Sequence, residues 1–225
     1  MGLSDISKGQ DGEIIRDYEP IEGVEWRYGS PPDYATVNAA YFEGRTKVHP
    51  PGSLESVVQK VVKNWEVESH HIENPQQWNT MKVDEFVAHS NTLRCPYSAE
   101  RMAKEGPYNM LLGDVGEKEY MGSKETYDSA NDKFKQAFPK GFAIEIIEVF
   151  SGPPSISCTW RHWGEHAGPY QAADGTMYKP TGKRIEMFGQ GVIRVTADLQ
   201  ITEMQMYFDK GAFIKELMSG GPIDV

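Results

Sequence analysis

The feature that most constrains this chain is a run of two-residue alternation from Gly141 onward. Phe142–Phe150 reads as a strand, and Gly152-Pro153-Pro154 as a turn. Ile156, Cys158, Trp160 and His162 then alternate with Ser157, Thr159, Arg161 and Trp163. Arg184–Val195 and Leu199–Phe208 form a further pair, joined by a turn at Thr196–Asp198. A period of two sends alternate side chains to opposite faces of a sheet, so one face of this meander needs a cover.

The cover lies upstream. Leu54, Val57, Val58, Val61, Val62 and Trp65 recur at helical spacing behind the cap Ser53, and this helix ends near His70-His71. Asp33 opens a helix over Tyr34–Thr46. Ser98 caps one through Lys104. Ser123 opens another, with Tyr127, Ala130, Phe134 and Phe138 on one face, closed by Pro139. A short strand is expected within Trp78–Val87, and a terminal helix over Lys210–Ser219. Helices first and strands last predict an α+β fold, with helices covering one face of a curved antiparallel sheet. The organisation expected is an N-terminal arm at 1–33, a single domain at 34–219 with an insertion at about 73–122, and a tail at 220–225. The arm packs through Ile14, Ile15, Trp26 and Tyr28.

The chain has 225 residues, which suits one domain. Its 23 basic and 33 acidic residues give a net charge of -10, a field that repels nucleic acid and anionic membranes. Cys95 and Cys158 form no C-x-x-C pair, which fits a reducing compartment. The N-terminus has no apolar signal core, and the myristoylation pattern M-G-x-x-x-[ST] fails at Ile6. No apolar run is long enough to span a membrane. The expectation is a cytoplasmic protein.

Strand parity nominates the chemistry. If Ile185, Met187, Gly189, Gly191 and Ile193 face inward, an even register sends Glu203, Gln205 and Tyr207 inward too. Glu203 is then either an acid–base group in an apolar cup or, if the register is odd, a rim residue in a salt bridge. His162 is either a proton shuttle or a core histidine bonded to a carbonyl. Glu68 and His71 stand at i, i+3, and Glu66 and His70 at i, i+4. These pairs either orient a base over the pocket or form a solvated helix face. The candidates for catalysis are Glu203, His162, Tyr207 and His71. Those for ligand contact are Tyr41, Trp65, Trp160, Met187, Gly189, Gly191 and Gln205. The glycines would let a ligand approach the sheet. Met187, Met204 and Met206 suit a hydrophobic ligand or an ordinary core. His162 and His166 lack the H-E-x-x-H pattern and a third ligand, so no metal is expected. Gly189-Gln190-Gly191 lies inside a strand and is no phosphate loop. No cofactor is expected.

From Asp33 onward the chain resembles the plant and fungal pathogen-related branch of the SnoaL-like proteins, in the nuclear-transport-factor-2-like superfamily. The stretches that carry this are PPDYATVN, FEGRTKV, PPGSLE, NWEVESHH, FPKGFAIEI, SGPP, RHWG, PTGKRIEMFG and YFD. The resemblance implies a cone-shaped α+β barrel with one deep pocket, and pairing into a homodimer through the outer face of the sheet, where Phe188 and Val192 lie. Members of the superfamily are cyclases, dehydratases, isomerases, hydrolases or binding proteins. It usually carries a Gly-x-Asp acid on the first strand of the final pair, and here Gly191 stands at that position. Two functions follow as expectations. One is cofactor-independent acid–base cyclisation, dehydration or isomerisation of a polyketide- or isoprenoid-like metabolite. The other is a non-catalytic carrier, or an accessory to a partner enzyme, in specialised metabolism or defence. The missing acid and the apolar Met204 point toward the second.

Overall fold

The structure is a computed structural model that describes residues 13–91 and 95–223. The first part of the expected arm, 1–12, lies outside the described residues. In chain order the elements are α1 (Ala35–Gly44), α2 (Leu54–His71), β1 (Val87–Ser90), β2 (Tyr97–Ser98), α3 (Ala99–Glu105), α4 (Pro107–Leu112), β3 (Asp114–Gly116) and β4 (Tyr120–Met121). There follow α5 (Tyr127–Ala137), β5 (Ala143–Ser151), β6 (Ser155–Glu165), β7 (Tyr170–Gln171), β8 (Met177–Tyr178), β9 (Arg184–Val195), β10 (Ile201–Phe208) and α6 (Lys210–Met218). Among the described residues six strands form one sheet, in the order β2-β1-β10-β9-β6-β5. The α+β class holds. The sheet is mixed rather than antiparallel throughout, because β1 runs parallel to β10. Residues 73–122, read as an insertion, supply that strand.

Caps fix the helix starts. Ser53 accepts from the Ser56 amide and Ser98 from the Arg101 amide, at 3.2 Å each. Thr126, not Ser123, starts α5, through a reciprocal capping box with Ser129. The stretch with Gly106-Pro107, which reads as loop, forms α4, with Pro107 at its first position. Trp78–Val87 holds no strand until its last residue, where β1 begins.

The bulk of α2 packs against the sheet through Val58, Val62 and Trp65. Burying each such side chain contributes about 1.5–3 kcal/mol. Its opposite side is not solvated, because the arm lies on it. Asp17 accepts from Asn64 at 2.9 Å and pairs with Lys60 at 3.2 Å, while Arg16 donates to the Lys63 carbonyl at 3.5 Å. The arm thus packs through Ile15 and Tyr18, both buried, whereas Tyr28 is half exposed.

A second small core sits beyond β5. Ile15, Tyr41, Ala143 and Trp163 pack together there, with Arg161 and Glu145 buried alongside. Glu145 pairs with Arg161 at 3.0 Å and accepts from the Thr46 amide at 2.7 Å. This polar clamp holds the chain after α1 against β5 and closes that edge of the sheet.

Candidate functional site

Between α2, α4, α5 and the inner face of β5–β6 lies a cavity of about 310 Å³. One helix face supplies much of its wall, because Val62, Trp65, Glu66 and His70 are one turn apart on α2. His162 reaches it from β6, Tyr34 from the start of α1, and Asn131 from α5. An aromatic chain lines one side. His162 stacks on Phe142 at 4.1 Å, Phe142 meets Phe138 at 4.3 Å, and Phe134 stacks on Tyr108 at 4.4 Å. Tyr108 in turn meets His70 edge-on at 5.3 Å. Val62, Trp65, Leu111, Ile144 and His162 also line a deeper void of about 50 Å³. Its remaining wall is apolar and includes Cys158, Trp160, Met187 and Met206. A largely apolar antechamber carrying a few polar groups therefore adjoins a nearly filled apolar cup.

Electrostatics divide the polar groups. Burial pushes His70 and His162 down to about 4 and His71 to about 3, so all three are neutral at pH 7. His70 donates from Nδ1 to Asn131 Oδ1 at 3.3 Å. Among the described residues Nδ1 of His162 has no partner in hydrogen-bonding geometry, although the Ala143 backbone acts on its ring, and neither do the indole nitrogens of Trp65 and Trp160 or the Tyr34 hydroxyl. Burial alone would raise Glu66, yet the Arg16 guanidinium above all, and Lys63 after it, hold it below the usual carboxylate range. Glu66 accepts from Arg16 Nη2 on Oε2 at 3.1 Å. Among the described residues no donor engages Oε1. An ionised carboxylate thus faces neutral imidazoles at the neck of an apolar cup.

The residues nominated from sequence separate. His162, His71 and Trp65 line the antechamber, and Trp160 and Met187 line the cup. Glu203 does not enter. A register shift between Ile201 and Glu203 turns Met204 and Met206 inward and Glu203, Gln205 and Tyr207 outward. Glu203 instead pairs with Arg194 at 3.1 Å and accepts from Gln205 at 2.7 Å. The Tyr207 hydroxyl donates to Gln205 at 2.9 Å on the same outer face. Tyr41 belongs to the second core, beneath Lys63 at 4.2 Å. The two glycines do not bare the sheet. Trp160 covers Gly189, and Met206 and Cys158 stand 3.4 and 3.5 Å from where a Cβ of Gly191 would be.

The helix-end pairs also separate. Glu68 is fully buried away from the cavity and accepts from the Asn79 and Thr80 amides at 2.6 and 2.9 Å. Burial raises it to about 7. Glu66 and His70 face the cavity together. Sequence spacing marked that pair, but Tyr34, Tyr108 and Asn131 carried no signal of their own. No group of three or more metal-ligating side chains occurs among the described residues. No helix among them is long and apolar enough to cross a membrane.

A curved mixed sheet with helices packed over its inner face defines a cup-shaped α+β protein. The chain is 34% identical over 199 residues to the pathogen-related protein of Hordeum vulgare, covering 86% of this chain and 82% of that one. It belongs to the pathogen-related protein family. No protein-family model matches it. Among solved structures it is similar to a protein classed as a SnoaL-like polyketide cyclase from Jannaschia sp. CCS1. That match has 15% identity, a TM-score of 0.43, and covers 78% of this chain and 99% of the other. A protein classed as a polyketide cyclase from Acidithiobacillus ferrooxidans gives 14% identity, a TM-score of 0.41, and coverage of 77% and 100%. At such values neither likeness carries an argument about activity.

Proposed function

We propose that the chain binds a small, largely apolar metabolite, polyketide- or isoprenoid-like, and isomerises or cyclises it by cofactor-independent acid–base chemistry. One observation carries this reading: the ionised Glu66 and the neutral His162 line one cavity at the entrance to an apolar cup. The apolar body of the ligand would seat toward the cup, with some repacking of Met187 and Met206. Glu66 Oε1 would take a proton from a carbon beside a carbonyl, and a neutral His162 N–H would hold the oxygen of the enolate formed. Returning that proton to another carbon isomerises the ligand, whereas attack of the enolate carbon on a second carbonyl closes a ring and leaves an alkoxide that takes the proton back from Glu66. A neutral imidazole suits this role because it donates without first having to bind a proton. Such acid–base groups contribute on the order of 10²–10⁴-fold in rate.

A carrier is the second reading. It is favoured by the strand side of the cup, where Met206 and Cys158 close the space around Gly191 and no acid stands. The discriminating experiment incubates the purified protein with host metabolite extract and follows bound and converted species by mass spectrometry. An isomeric or water-loss product supports the enzyme. A ligand retained unchanged supports the carrier. The absence of both would sink the shared premise of a metabolite pocket.

Phe188, 59% exposed on the outer face of the sheet, is taken as part of a homodimer face. Sedimentation tests it, since a wild-type chain that runs as a monomer ends that proposal.

A further inference from the structure

We propose that Arg16, carried by the N-terminal arm, is the positioning residue of this cavity: its guanidinium aims the Glu66 carboxylate and fixes its charge. This rests on the reading of Glu66 as the group that meets the ligand. Arg16 is 1% exposed although it belongs to a polar arm with little regular structure. Each nitrogen of its fork has a partner. Nη2 donates to Glu66 Oε2 at 3.1 Å, and Nη1 to Asn38 Oδ1 on α1 at 3.0 Å. Nε lies 3.5 Å from the Lys63 carbonyl on α2. The guanidinium plane covers the Tyr34 ring, 3.7 Å from its centroid, and Tyr34 itself lines the cavity.

These contacts give one side chain three tasks. The Nη2 bond occupies one carboxylate oxygen and leaves the other toward the ligand. The Asn38 bond and the Tyr34 stack lock the guanidinium, so the carboxylate cannot swing with it. The permanent charge keeps Glu66 ionised in a site whose burial favours the neutral acid. A lysine could not do this, since an ammonium lacks the planar fork and the flat stacking surface. The other groups that face Glu66 are Lys63 and His70 on α2, His162 on β6, Tyr34 ahead of α1 and Tyr108 on α4. His70 and His162 are neutral, and burial brings Lys63 down to about 7. Arg16 is therefore the fixed positive charge at this carboxylate. The arm is a working part of the site, because it reaches across the back of α2 to set a group on the cavity side.

The test needs no ligand. Side-chain carboxyl carbons of ¹³C-labelled protein are titrated by NMR, with the Glu66 signal assigned from its loss in Glu66→Gln. In Arg16→Gln, with folding checked by the amide spectrum, the Glu66 midpoint should rise by roughly one to three pH units. A folded Arg16→Gln whose Glu66 titrates as in wild type overturns the proposal. Should that variant not fold, the wild-type Arg16 Nε resonance decides. A signal that moves with the Glu66 midpoint, and is flat in Glu66→Gln, sustains the assignment. A signal that ignores the midpoint overturns it. A failure here leaves the metabolite reading standing, since that reading is judged separately by bound or converted species.

Discussion

Gly189 on β9 lies beneath the indole of Trp160, its register partner on β6. A Cβ added at Gly189 would stand within 2.5 Å of the Trp160 Cε2 atom. The ring lies flat on the neighbouring strand only because that strand has no side chain there. Gly189→Ala should therefore cost about 1–3 kcal/mol, as overpacking does. It should also shift tryptophan fluorescence, as the indole is forced toward the cup. Urea unfolding at wild-type midpoint and slope would contradict this account of the cup wall.

Acid should loosen the fold well before carboxylates in general titrate. His70, His71 and His162 fall from an ordinary 6.5 to about 4, 3 and 4 on folding. The unfolded chain then binds more protons, so the stability they confer is complete above about pH 6.5 and drains as pH falls toward 4. Glu68 works the other way. It rises from 4.5 to about 7, so its contribution is largest in acid and fades as pH climbs through that window. Three groups against one leave a net loss of roughly 2–3 kcal/mol per pH unit near pH 5. Urea midpoints from pH 7 to pH 4.5 measure this, and a flat profile would mean the histidines are not buried neutral.

The clamp at the β5 edge should be costly to break. Glu145 is 1% exposed, and it satisfies Arg161 as well as the Thr46 and Lys47 amides. Glu145→Ala leaves a buried guanidinium and orphaned donors, which should cost about 3–5 kcal/mol. By contrast Lys140 and Glu165 pair at 2.8 Å on the exposed surface, and Lys140→Ala should cost under about 1 kcal/mol. Calorimetry on both variants checks the ranking, and equal melting temperatures would refute it.

The helix Leu54–His71 was legible because its apolar spacing and its cap agree, and the limits of Arg184–Val195 because alternation ends at a turn. Parity on β10 misled for a specific reason. Ile201 and Met204 are both buried although three positions apart, which no strict alternation allows and a register irregularity does. The apolar set Met204, Met206 and Phe208 was the better sign of the inner face. Glu66 was visible only as the i, i+4 partner of His70, since an acid on a helix normally faces water. Arg16 gave no sign at all, because nothing local says that a polar arm returns beneath α2.

The central claim is that chemistry belongs to Glu66 and His162 on the cavity side, and not to Glu203 behind the sheet. The most direct measurement is conversion of a metabolite from host extract by wild type, Glu66→Gln, His162→Ala and Glu203→Gln, followed by mass spectrometry. The account predicts turnover by wild type and by Glu203→Gln at matching rates. It predicts losses of about 10²-fold or more in Glu66→Gln and His162→Ala. Turnover that survives both cavity variants, or a wild type that retains its ligand without changing it, would contradict the claim.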